Sequence, residues 1–407
     1  MAEAPVTNFH NKLAAAAVAM LVLGGVAIGA FATQAGGDMY DLVKVGFFGW
    51  IFWMWVTLGM LGLTLLHHTV RGKWGAPLVR IWEAGSNPIT LALFGAVFVG
   101  IFLVGGQHIW EWLAPGATEH DAIIAGKAAY LNQTAMLIRW VIYIAFFIFL
   151  TWRLSSWLRL EEKTGDKKYS DKRNNFAAPM IVLFVLAINF AMTDVGMSLD
   201  PHWFSTIYGV WQMIGMVLAG LSFSAAIIGS QAKKEPYRQV VDSVLTKDIG
   251  NLLLAFSMVW AYFTLSQYLV IYSGNLPEFN VWFTARTQSG WSNVGAFAVI
   301  GQFFIPFLAL CAPRTKRVPA IFALVAMWIF AIRFVDLSYT FLPSIQRGIK
   351  PTDVMWLAGC LGAILVFGAV WLILFVMHVK KKPLLTESHP YLAHKSHDHN
   401  EEAAHVA

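Results

Sequence analysis

The sequence predicts an all-α integral membrane protein of ten transmembrane helices, grouped as two four-helix bundles with two flanking helices. Of its 407 residues 57% are hydrophobic and only 13% charged, against roughly 25% charged in a soluble globular chain. Apolar runs of about 20 residues, the length that crosses a bilayer as a helix, recur ten times. They fall at about 13–34, 45–66, 88–109, 131–152, 176–196, 206–230, 249–273, 291–312, 318–341 and 354–378. An outer-membrane barrel would show shorter segments of alternating polarity instead.

The first run ends Ala30-Phe31-Ala32, which imitates a signal-peptide cleavage site. Its apolar core exceeds that of a signal peptide and nine spans follow, so it is retained as a membrane helix. The second closes on His67 and His68, and the third on His108, ahead of a connection from Glu111 to Tyr130. The fourth carries Arg139 about two turns from its outer end. A charged loop is expected from Ser155 to Asn175. The fifth ends at Asp194, where a hinge of residues 193–212 crowds acids, a histidine, hydroxyls and aromatics between two apolar runs. Asp200-Pro201 should break the helix there, because proline disfavours a helical residue before it. Ser205 and Thr206 can cap the next helix, and Trp203, Tyr208 and Trp211 should sit at headgroup depth.

The seventh span holds Gln267 and Tyr268 towards its outer end. The connection from Ser273 to Ser289, rich in aromatics, suits an ordered, contact-making segment. The eighth span places Gln302 near the midplane. The ninth carries Arg333 and Asp336, which at i and i+3 share a helix face. Asp194-x6-Pro201 in the fifth span is echoed by Asp336-x6-Pro343 in the ninth, four helices later, as a duplicated four-helix unit would give. Residues 1–380 form the membrane domain. Residues 381–407 are a hydrophilic tail with His389, His394, His397, His399 and His405, expected to be disordered.

The net charge of +6 is about orientation rather than nucleic acid. With the N-terminus inside, inner loops and termini hold 22 of the 29 Lys and Arg, and the outer loops five. That bias sets both termini in the cytoplasm. Only Cys311 and Cys360 occur, without the CxxC or CxxCH spacing of iron–sulfur, zinc or covalent haem sites. The histidines of the membrane region stand at span ends rather than facing one another at matched depth, which argues against bis-histidine haem. No metal ligands are identified and no tightly bound cofactor is expected; quinone, quinol or structural lipid remain as ligands.

An ionisable side chain inside a bilayer costs about 2.5–3.5 kcal/mol on insertion scales and calls for a partner or a task. Asp194, Arg139, Arg333, Asp336, Gln267, His108 and Glu111 crowd the outer half and form a candidate proton path. A second reading makes the chain itself a quinone site, with His202 and Asp194 taking the quinol's protons among Trp203, Tyr208, Trp211 and Tyr268. A third makes it a structural anchor, its charges paired only to fix packing.

Two stretches then carry a resemblance. Met197-Ser-Leu-Asp-Pro-His-Trp-Phe-Ser-Thr-Ile-Tyr-Gly-Val210 and Asp248-Ile-Gly-Asn-Leu-Leu-Leu-Ala-Phe-Ser-Met-Val-Trp-Ala-Tyr-Phe-Thr-Leu-Ser-Gln-Tyr-Leu-Val-Ile-Tyr-Ser-Gly-Asn-Leu-Pro-Glu278 closely resemble the ActF subunits of alternative complex III, a bacterial quinol:electron-acceptor oxidoreductase. The resemblance implies a respiratory or photosynthetic electron-transport subunit of the bacterial inner membrane, without a redox centre of its own. It implies as partners a multihaem cytochrome, an iron–sulfur subunit, an ActC-like ten-helix subunit and small membrane subunits. Within residues 194–278, which hold both stretches, the resemblance makes Asp194, Asp200, His202, Ser205, Gln267 and Tyr268 the candidate functional residues.

Overall fold

No water competes for backbone N–H and C=O groups in a bilayer core, so a crossing segment must satisfy them internally. Among the described residues ten helices are long and apolar enough to do so: Phe9–Gln34, Met39–Val70, Val79–Ile109, Gln133–Thr164, Lys168–Leu199, Tyr208–Gln231, Ser243–Gly274, Ser292–Cys311, Pro319–Ile345 and Val354–Val379. They are referred to as the first to tenth spans. The computed structural model describes residues 3–34 and 38–385, and no strand occurs among them. The chain is a multi-pass membrane protein. Most of the histidine-rich tail, from residue 386, lies outside the described residues. The end of the molecule bearing residues 110–132, 200–207 and 275–291 is called upper.

Local chemistry marks the helix ends. Asn87 accepts a hydrogen bond from the Thr90 amide with Pro88 at the first helical position, Asn132 accepts from Ala135, and Asp242 from Val244 and Leu245. Each satisfies donors that the first turn leaves open. Gly165 and Asn275 close their helices with φ of 67° and 44°, the left-handed conformation that glycine and asparagine tolerate.

Three expectations need correction. The charged stretch 155–175 is mostly helix: the fourth span runs on to Thr164 and the fifth starts at Lys168. No glycine or proline interrupts it before Gly165, and a buried Arg173–Glu161 pair at 2.5 Å fastens the two helices below the apolar zone. The fifth helix ends at Val195, before Asp200-Pro201, and a short 3-10 turn, Met197–Leu199, follows. Ser205 and Thr206 do not cap the sixth span. Its N-cap is Ile207, without a side-chain bond, because the Ser205 hydroxyl is drawn instead to the Gln267 side chain of the seventh span. The connection 273–289 is ordered as expected, as a surface helix, Pro277–Gln288.

Packing closes into two rings. The second to fifth spans form one four-helix bundle and the sixth to ninth the other; the second and sixth join them, and the tenth lies on the second with the first outside it. The second span is the axis, 94% of its core window being buried against 11% for the first. Helices in lipid associate through small residues that let backbones approach. A Cβ on Gly59 would stand 1.9 Å from the Met216 carbonyl oxygen, and one on Gly49 2.6 Å from the Ala363 carbonyl carbon. Tryptophans tie helices through ring N–H donors: Trp50 to Phe94 O at 2.7 Å, Trp140 to Gly95 O at 3.0 Å, Trp371 to Thr57 Oγ1 at 2.8 Å.

Gly59→Ala should force the second and sixth spans apart and cost about 1–3 kcal/mol, the usual penalty of overpacking. Thermal unfolding of the purified protein in detergent checks it, with Gly100→Ala, which meets nothing within 4 Å, expected to show no loss.

Candidate functional site: a membrane-facing cleft in the second bundle

The polar residues of the upper half separate into three groups. The first is sealed. Arg139 grips Asp194 through Nε–Oδ2 at 2.8 Å and Nη2–Oδ1 at 3.1 Å, and Tyr143 donates to the same carboxylate at 3.0 Å. Arg139 also donates to the Tyr130 carbonyl and lies 3.8 Å over its ring. Asp194 has no exposed surface. Burial and the Asp194 charge push the Tyr130 phenol up to about 12, so it stays a neutral wall. Such a bidentate, fully partnered carboxylate is placed to join the fourth and fifth spans rather than to pass protons.

The second group runs over the upper surface. His202 meets Asp121 at 2.5 Å and stands 3.8 Å from Glu111. Arg347 holds Glu111 through two bonds and lies 3.9 Å from Asp200, to which Ser344 donates at 2.5 Å. Ser344 accepts from Arg286, a fully buried cation that also donates to the Trp282, Tyr339 and Thr340 carbonyls at 2.9, 3.0 and 2.6 Å. Burial pulls the Arg286 guanidinium down to about 10, and it remains charged at neutral pH. A guanidinium has no acceptor, so it interrupts any proton line along this series. His108 stacks on Tyr40 at 3.7 Å and lines an upper-surface hollow with Glu111, Ser344 and Arg347.

The third group lines a cleft of about 830 Å³ between the seventh, eighth and ninth spans and the surface helix. The seventh and eighth spans pack along the π turn Ile300–Phe304 and Ile305–Cys311. Above that contact the cleft opens. Its walls are mostly apolar and aromatic, with Trp211, Trp260, Tyr268, Trp282 and Phe283, and a few polar groups converge on it: Gln267, Thr264, Tyr339 and Asp336. Trp211 donates to Thr264 at 3.0 Å, and Asp336 is paired with Arg333 at 2.6 Å. Arg333 is buried beside the ring of Trp55 and against Gly215. Tyr268 and Leu265 stay exposed on the flank. A concave apolar site with a few convergent polar groups is the usual form of a small-molecule site.

The sequence-level grouping is therefore redrawn. Asp336, Gln267, Trp211 and Tyr268 come together; Arg333 stands behind Asp336. His202 and Asp194 are not paired, since Asp121 and Arg139 claim them. Trp203 and Tyr208 are buried, at 2% exposure, so they pack inside the protein instead of facing headgroups: Trp203 stacks on Trp282 with ring centroids 5.3 Å apart. Sequence reasoning missed Trp282, Tyr339 and Arg286. Pro277 at the first position of a helix was the available signal that residues 277–288 could form a cleft wall. Among the described residues no three His, Cys, Asp or Glu side chains gather as a metal site would require.

Two outcomes follow. Asp194→Asn strands the Arg139 charge and should cost about 3 kcal/mol, as breaking a buried pair does; Arg139→Leu with Asp194→Leu should recover most of it in denaturant unfolding. Asp121 is held below the ordinary carboxylate range, first by the Ile124 amide and then by His202. A depressed folded-state pKa gives stability that is complete above the unfolded value, about 4, and lost as pH falls through the folded value. The stability gap between the parent and Asp121→Asn should therefore close below about pH 4. No protein-family model and no curated protein sequence matches the chain.

Proposed function

We propose that the chain is a membrane subunit of a quinol:electron-acceptor oxidoreductase of the alternative complex III kind, holding no redox centre and handling protons at the Arg333–Asp336 wall of the cleft. The observation that carries this reading is the position of Asp336. It is an intramembrane carboxylate in the wall of the cleft, whereas Asp194 is enclosed by its partners. A carboxylate held by a guanidinium and the Trp260 ring N–H at the wall of a cleft can take a proton from an arriving donor and pass it on. Arg333 keeps the anion stable in the apolar interior between turnovers.

The volume and lining of the cleft favour a second reading alongside the first: the cleft takes the ring of a quinol. Trp211, Tyr268 and Phe283 line it with aromatic surface for a planar headgroup, while the Trp282 ring is taken by Trp203 and Arg286. Gln267 and Tyr339 offer polar groups to its oxygens, and the lipid side would receive its tail. A quinol releases two protons and two electrons on oxidation; the electrons would pass to a redox centre of a neighbouring subunit, Asp336 is placed to accept one proton, and the aqueous phase above the surface helix would take the other. In this reading the partners are a multihaem cytochrome, an iron–sulfur subunit and an ActC-like subunit in a bacterial cytoplasmic membrane, with both termini cytoplasmic. The resemblance of residues 197–210 and 248–278 to ActF subunits supports this reading of the complex.

In the complex purified from native membranes, Asp336→Asn should lower the protons released per electron while quinol oxidation persists. Unchanged stoichiometry would remove Asp336 from the proton route. A photoreactive quinone analogue should label peptides within residues 264–299, and labelling confined to another subunit would remove the ligand from this cleft.

A further inference from the structure

At the lower end of the first bundle a buried charge cluster balances itself. Glu83 is held by Arg80 at 2.5 Å and by Lys382, Glu162 by Arg80, and Glu161 by Arg173 at 2.5 Å. Three acids thus match three cations. Arg153, Arg159 and Lys163, on the same stretch of the fourth span, enter none of these pairs nor any other among the described residues. Burial, with the nearby Arg80 and Arg159 adding to it, holds the Lys382 ammonium below its ordinary value despite Glu83. The nearby Asp166 is taken by Lys168 at 2.6 Å.

These surplus cations sit on the membrane-facing side. Ile138, Val141, Ile142, Phe149 and Trp152 are exposed along the fourth span at helical spacing. One to three turns further down, the same face becomes Ser156, Arg159 and Lys163. Arg159 donates to Ser156 Oγ at 3.1 Å, and the Arg153 guanidinium lies 4.0 Å over the ring of Trp157, which packs edge-on against Phe176 of the fifth span. The Ser156 hydroxyl donates to the Trp152 carbonyl at 2.6 Å, so it steadies Arg159 and leaves no donor over. An apolar track that ends in two oriented guanidinium groups matches the shape of a phospholipid, acyl chain above and phosphate below. Guanidinium forks suit phosphate oxygens.

We propose that Arg153 and Arg159, the latter steadied by Ser156, form a binding site for the headgroup of an anionic phospholipid, whose acyl chain lies on Phe149 and Trp152. This goes beyond the electron-transfer reading and does not depend on it. The test is lipid retention by the full-length protein in neutral detergent, measured by native mass spectrometry with phosphatidylglycerol and phosphatidylcholine. The parent should retain phosphatidylglycerol preferentially. Arg153→Gln with Arg159→Gln should weaken retention by about tenfold to thirtyfold, the effect of two basic contacts at a charged membrane surface. Lys233→Gln with Lys234→Gln, exposed at the same end between the sixth and seventh spans, should change it less than about twofold, since that pair lies outside the headgroup site. Equal losses from both double variants, equal retention of phosphatidylcholine, or displacement of the lipid by an equal concentration of inorganic phosphate would each overturn the site. Should the arginine variant fail to fold, a photoreactive phosphatidylglycerol on the parent protein decides: crosslinks within residues 149–163 support the site, and crosslinks only elsewhere refute it.

Discussion

A charge in a membrane must be answered by a partner, and the Arg333–Asp336 pair shows how far that requirement shapes this protein. Placed three residues apart on the ninth span, the two side chains meet at 2.6 Å and are nearly without exposed surface. Their attraction in a low-dielectric interior offsets a desolvation cost of several kcal/mol per ion only when the geometry is tight. The sixth span supplies Gly215, where a Cβ would stand 2.3 Å from Arg333 Nη2, and the second supplies Trp55 beside the guanidinium. Three helices of the packed centre are thus fitted to one cation.

The two bundles use the same chemistry to different ends. In the first, a cation and two tyrosines close around Asp194 and the fourth and fifth spans become one unit. In the second, the pair is made within one helix, so the seventh and eighth spans are free to part above Ile300 and leave Asp336 in the wall of the cleft. The π turn at Ile300–Phe304 frees backbone groups there, and Trp328 donates to the Gly301 carbonyl at 2.8 Å. Such turns interrupt helices where function needs an irregular surface. Arg286 pins the surface helix to the ninth span and gives the cleft its upper wall.

Much of this architecture was legible in residue order. Ten apolar runs gave ten spans, and the i, i+3 spacing of Arg333 and Asp336 gave their pairing, because both signals are local. The Arg139–Asp194 pair joins residues 55 apart, and no periodicity reports such a meeting. Hydropathy also misleads about the interior: the first span scores 2.3 and lies mostly outside, while the more polar second span, at 1.6, is almost wholly buried. Lipid is itself an apolar solvent, so an outward face needs apolar residues at least as much as a packed one does. The stretch 155–175 was misread as a loop because charge alone was weighed, whereas its acids and bases pair across neighbouring helices. The cleft was invisible for a related reason: a gap between helices leaves no mark in any one of them.

The sharpest measurement of the difference between the two buried aspartates is their reaction with dicyclohexylcarbodiimide, which enters from lipid and modifies carboxyl groups that can take up a proton. Native membranes would be treated, and the modified residues located by mass spectrometry. The account predicts that Asp336 is modified, that a quinone analogue protects it, and that Asp194 is left intact. Modification of Asp194 at the rate of Asp336, or an unreactive Asp336, would contradict it.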